Sequence, residues 1–137
     1  MTVVEDLQTR SFSVTVDGIA AIDSWIEGLA SRWGLSEKAA FSVRLCIAEL
    51  ATNVLEHGIA RSRDDLMTVS IDRLPDGVEV AFRNSRQSFD PTARLSLAEP
   101  KANAGGRGLM LLHAYALDLT YIADPDHNCT KFRIIST

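Results

Sequence analysis

Two runs of alternating apolar and polar residues, Met67 to Leu74 and Val78 to Asn84, flank Pro75-Asp76-Gly77 and constrain this chain more than anything else in it. Alternation places every second side chain on one face of a strand, and a Pro-Asp-Gly turn reverses the chain, so the segment reads as an antiparallel hairpin with one buried face. That face needs a cover. Two helical patterns upstream can supply it. Apolar residues recur at Ile19, Ile22, Ile26, Leu29 and Trp33, with Gly34 as a stop, and Ser36 is an N-cap for a longer helix running to about His57, ended by Gly58. Phe12, Val14 and Val16 alternate as a strand ahead of them, and Leu119 to Ala123 and Cys129 to Ile135 form a second hairpin, turned at residues 124–128. Between the hairpins, residues 85–108 keep no period and hold Pro91, Pro100, Gly105, Gly106 and Gly108. A helix over Leu109 to Leu117 follows. The order β-α-α-β-β-loop-α-β-β predicts an α+β fold, a two-layer sandwich of a mostly antiparallel sheet covered on one face by helices.

At 137 residues the chain has the size of one domain, 1–137. Its charge, 14 − 18 = −4, argues against a large phosphate-neutralising surface and so against direct nucleic-acid binding. No apolar stretch approaches the roughly 20 residues of a membrane span, and the N-terminus has no export signal, so a cytoplasmic location is expected. Cys46 and Cys129 read as small buried thiols, and Trp25 and Trp33 as core.

Three features carry chemistry. On the second helix the apolar positions Phe41, Val43, Leu45, Ile47, Ala48, Leu50 and Val54 are broad enough to bury much of the surface. Glu49 and Asn53 nevertheless stand four apart on one stripe, with Glu56 or His57 a turn further on. A carboxylate and a carboxamide so placed suit a water-orienting base and an Mg²⁺ ligand; they also suit a solvated stripe with a capping contact. His57 fits capping or packing at the helix end better than catalysis. Next, Gly105-Gly106-Arg107-Gly108-Leu109 opens a helix. Its free N–H groups form an anion site with Arg107 adding charge, or the glycines serve as a hinge. Lastly, the second strand of the first hairpin runs into Asn84-Ser85-Arg86-Gln87-Ser88-Phe89-Asp90-Pro91.

Taken in order, these segments resemble the bacterial anti-sigma-factor serine kinases, a branch of the ATPase superfamily (the GHKL or Bergerat fold) that also holds gyrase, Hsp90, histidine kinases and MutL. The resemblance covers Phe12 to Ile135. Glu49 to Gly58 is similar to the family's N box, Phe89-Asp90-Pro91 to the segment after its adenine box, and Gly105 to Leu109 to its second glycine box.

It implies ATP and Mg²⁺ as cofactors, with Glu49 activating the attacking hydroxyl and Asn53 ligating the metal. Gly106, Arg107 and Gly108, flanked by Gly105 and Leu109, would wrap the phosphates, and His57 would border the nucleotide. Residues 85–108 would form a lid. The implied partners are a STAS-type anti-sigma-factor antagonist, phosphorylated on serine or threonine, and a sigma factor or comparable target; relatives also suggest a homodimer. The chain departs from the pattern at the adenine box, where Asn84-Ser85-Arg86 replaces Asp-x-Gly. Asn84 offers an uncharged carbonyl oxygen with an NH₂ beside it, and the Arg86 side chain must swing out or block the pocket. One lost polar contact of this kind costs on the order of 1–3 kcal/mol. The alternative reading is a partner-binding module of the same fold that has lost useful catalysis. Related kinases also place an arginine for partner contact in the first helix, where Ala20 to Ser24 has none.

Overall fold

A computed structural model describes residues 6–58, 65–86, 112–124 and 126–136. Five strands and two helices follow in the order β1 (Leu7–Ser13), α1 (Val16–Trp33), α2 (Glu37–His57), β2 (Leu66–Leu74), β3 (Gly77–Asn84), β4 (Leu117–Ala123) and β5 (Asn128–Ile135). The strands form one sheet in the order β1-β2-β3-β5-β4, with every neighbouring pair antiparallel. The α+β reading stands. The central hairpin pairs Met67 with Asn84 and Leu74 with Gly77, so the Pro-Asp-Gly signal set both turn and register.

The sheet is two-faced. Phe12, Met67, Val69, Ile71, Val78, Val80, Phe82, Phe132 and Ile134 point inward and pack with Ile22, Ile26 and Leu29 of α1 and with Val43, Cys46, Ile47, Leu50 and Val54 of α2. Hydroxyls line the outer face instead, where Thr9 meets Ser70 at 3.0 Å and Ser11 meets Thr68 at 2.9 Å. Two helices therefore cover one side and water wets the other, as alternation in an antiparallel sheet allows.

Local chemistry sets the helix ends. Thr15 accepts the Gly18 N–H at 2.9 Å and starts α1, and Ser36 accepts that of Ala39 at 3.1 Å and starts α2. Gly34, in the left-handed region at φ 66°, closes α1. Gly18 brings α1 tightly onto the end of β1, since a Cβ there would lie 1.9 Å from the Ser13 carbonyl oxygen. Arg44 of α2 holds Asp23 of α1 through two hydrogen bonds, Nε to Oδ1 at 2.9 Å and Nη2 to Oδ2 at 2.8 Å. That donation keeps the Asp23 carboxyl below its ordinary range, against an opposing push from burial.

Four expectations need correction. Val14 and Val16 do not extend the first strand, which ends at Ser13: the cap at Thr15 turns the chain into α1, Val14 stays buried ahead of it, and Val16 lies exposed in its first turn. Phe41 is more than half exposed, because the buried face of α2 runs through Val43, Cys46 and Ile47, Leu50 and Ala51, and Val54; its ring meets Tyr115 edge-on at 6.5 Å. Leu117 belongs to β4 and not to a helix. The described helical turn is 112–115, and Asp118 at φ 52° goes with a register shift between Leu117 and Thr120. Cys129 is half-buried, unlike Cys46. Residues 109–111, the start of the expected helix, lie outside the described residues.

Candidate nucleotide site

Helix α2 contributes nine buried residues, of which Asn53 is the unusual one. Its side chain is 8% exposed, and it forms no hydrogen bond with any described residue. No buried side-chain polar atom among the described residues lacks a partner, so the Asn53 amide is not sealed in the core although the residue as a whole is largely covered. Ser42, buried on the same helix, follows the ordinary pattern by donating to the Lys38 carbonyl at 2.9 Å. One turn before Asn53, Glu49 is half-buried. Its carboxyl is held above the usual range, first by burial and then by the nearby Glu56 carboxylate. Burial, reinforced by Glu49, also pushes the Cys46 thiol up to about 12, so this thiol stays neutral. His57 is exposed at the helix end, with Nε2 3.7 Å from a Glu56 carboxylate oxygen.

The second group of polar residues sits where β3 ends. Asn84 continues the inward face of Val78, Val80 and Phe82 and is 5% exposed. It pairs across the sheet with Asn128, also buried. Its Oδ1 accepts the backbone N–H of Arg86 at 3.0 Å, while the Asn128 amide donates to the Arg86 carbonyl oxygen. These bonds hold the chain as it leaves the strand.

The Arg86 side chain takes a definite course. Its Nε pairs with Asp65, and its Nη1 donates to the Val54 and Leu55 carbonyls at 3.2 and 3.4 Å. Those oxygens belong to the last turn of α2, where a helix carries partial negative charge; the Val54 carbonyl also accepts the Gly58 N–H at 3.0 Å. Gly58 makes the approach feasible, because a Cβ there would come within 2.9 Å of the Arg86 Cδ. Arg86 thus lies on the helix end. By doing so it ties the end of α2 to the end of β3, and so brings the Asn53 and Asn84 segments to one end of the sandwich.

Glu49, Asn53, His57, Asn84 and Arg86 therefore fall on the two elements that Arg86 joins. Gly105, Gly106, Arg107, Gly108 and Leu109 lie outside the described residues, as does all of the 85–108 loop beyond Arg86. Sequence reasoning missed Asp65 and Asn128. Asp65 could not be matched with Arg86 across 21 positions, whereas Asn128 carried a signal: it occupies an inward phase of the strand that continues Thr130, Phe132, Ile134.

A model of the histidine kinase-like ATPase domain matches residues 12–134, nearly the whole chain. The chain belongs to that family. Among curated relatives, a serine-protein kinase RsbW of Listeria innocua is 27% identical over 107 residues, covering 72% of this chain and 68% of the relative. Two solved structures share the fold. The RsbU and RsbW domains of Rv1364c from Mycobacterium tuberculosis align with a TM-score of 0.65 at 11% identity, over 95% of this chain and 32% of that one. The histidine kinase domain of a blue-light activated histidine kinase from Erythrobacter litoralis aligns with a TM-score of 0.55 at 14% identity, over 88% and 60%. The chain thus spans about a third and three-fifths of the two solved chains. No helix among the described residues is long and apolar enough to cross a membrane.

Proposed function

We propose that this chain is an anti-sigma factor and serine/threonine-protein kinase that uses a Mg²⁺-bound purine nucleoside triphosphate, ATP in the family, to phosphorylate a STAS-type antagonist in the cytoplasm. The observation that carries the reading is Asn53: a nine-tenths buried residue whose accessible carboxamide has no described partner, one turn from a carboxylate held above its normal range, in a chain of an ATPase family. Mg²⁺ is commonly held by one or two oxygen ligands together with substrate phosphates, and Asn53 Oδ1 is such a donor, so the residues present fit the ion. When bound, the ion would neutralise charge on the triphosphate.

The remaining roles fall to this chain's own groups. Glu49 accepts the proton of the attacking serine hydroxyl, and its raised pKa makes it a stronger base than an exposed glutamate. Asn53 fixes the phosphate end against α2, and residues 105–109 close around the phosphates, with 85–108 as the lid. In such a cycle the unphosphorylated antagonist and the sigma factor compete for the kinase, and phosphorylation of the antagonist frees it for the target. Competing complexes form a switch set by differential affinity.

Calorimetric titration of Mg²⁺-nucleotide into the chain and into Asn53→Ala tests the reading. Saturable, magnesium-dependent binding that the substitution weakens supports it, and phosphoryl transfer to the antagonist is the next assay. Absence of binding at millimolar nucleotide favours a second reading, a partner-binding module of the same fold. The observation on its side is Arg86, which stands where the family has glycine and is committed to the end of α2.

A further inference from the structure

At the base end of this site, the orientation of one side-chain amide decides which hydrogen-bonding group a ligand meets. Asn84 is 5% exposed, and the backbone N–H of Arg86 reaches one of its two terminal atoms at 3.0 Å. A backbone N–H can only donate, so that atom is the carbonyl oxygen and the other is the NH₂ group. This assignment follows from the partner and leaves no freedom to flip. The NH₂ group donates to no described residue. Its neighbours are already committed: the Asn128 amide to the Arg86 carbonyl oxygen, and the Arg86 guanidinium to Asp65 and the α2 carbonyls. What the end of β3 still offers is a donor without an acceptor among the described residues, on a residue that is otherwise covered but whose amide nitrogen is not itself buried.

With Asn84 facing the base, as its place in the adenine box of the proposed nucleotide site implies, we infer that this site selects a 6-oxopurine nucleoside triphosphate over a 6-aminopurine one. The inference rests on the nucleotide reading and sharpens it. A 6-amino group is a donor, and a 6-oxo group is an acceptor. An aspartate in this position offers two acceptors, one for the backbone N–H and one for a 6-amino group. Asparagine has the same shape but presents an NH₂ on the second side, which opposes an amino group and pairs with a carbonyl. A site built around a hydrogen bond discriminates against the ligand that covers its polar group and leaves it unpaired.

ITP and ATP differ at position 6 and in the adjoining N1 proton, so they isolate this contact. Each is titrated calorimetrically, with Mg²⁺, into the whole chain and into Asn84→Asp. The wild-type chain is expected to bind ITP about 10-fold or more tightly than ATP, the size of one buried polar contact, and the variant to reverse the order. ATP binding more tightly than ITP to the wild-type chain overturns the inference and leaves the nucleotide reading intact. Failure of both to bind at millimolar concentration overturns the inference together with the reading beneath it. The wild-type comparison decides the matter even where the variant does not fold.

Discussion

The stripe on α2 and the exit of β3 hold their polar groups in opposite ways. On the stripe, Asn53 is buried with its amide uncommitted, and Glu49 keeps a carboxyl whose charge its surroundings disfavour. At the strand exit, the Asn84 oxygen, the Asn128 amide and the Arg86 guanidinium are spent on one another, on Asp65 and on the helix end. Unspent polar capacity is costly to fold and useful to a ligand; spent capacity stabilises and leaves little for one. The first region is thus shaped by what it would bind, and the second largely by what it holds together, with the Asn84 NH₂ as its remaining open group.

Substitutions can break this contrast. The largest effect is expected for Glu49→Gln, which should lower phosphoryl transfer to the antagonist roughly 10²- to 10⁴-fold, the usual contribution of a general base. Stability should not fall with it. Because the folded state raises the Glu49 pKa, its stabilising contribution is complete below the unfolded pKa and is lost as pH rises through the folded one. Near neutrality the charged carboxylate is a cost, so urea denaturation should show Glu49→Gln equal to or more stable than the wild-type chain. A clear loss of stability would make Glu49 a structural group. Next comes Asn53→Ala, expected to weaken nucleotide binding about 10-fold or more in Mg²⁺ and little in EDTA, by calorimetry. Equal weakening in both media would argue against a metal ligand.

At the strand exit the expectation is the reverse. Arg86→Ala removes a partly buried ion pair and the covering of the α2 carbonyls, and should cost about 1–3 kcal/mol in urea denaturation. An unchanged denaturation midpoint would remove the contrast between the regions. The smallest effect concerns Glu56→Gln. Its carboxylate helps hold the Glu49 pKa up, so its removal should move the acid limb of the transfer rate to lower pH with little change on the plateau.

Much of the fold was legible because it is written locally. Alternation on either side of Pro75-Asp76-Gly77 gave the central hairpin, and Ser36 and Gly58 bracketed α2. What was missed depended on competition or on distance. Val16 suits a strand by pattern, but the Thr15 cap outweighs one more alternating residue. Phe41 is apolar at helical spacing, yet it falls to the side of the face that meets the sheet. Within the site, the pairing of Glu49 with Asn53 was readable from a spacing of four. The course of Arg86 was not, because Asp65 and the α2 carbonyls are its neighbours only after folding.

The nine buried residues of α2 have a consequence for how such a site can change. The helix that carries Glu49 and Asn53 is also a wall of the core, so a shift of either side chain by backbone movement disturbs Val43, Ile47 and Val54 as well. The end of β3 is tied by side-chain hydrogen bonds and not by helix packing, so an exchange at Asn84 alters the group offered there without moving α2. On the proposed reading, sequence drift therefore rewrites which base is read while the residues assigned to phosphate stay fixed, and new nucleotide preferences are cheapest to acquire at the strand exit.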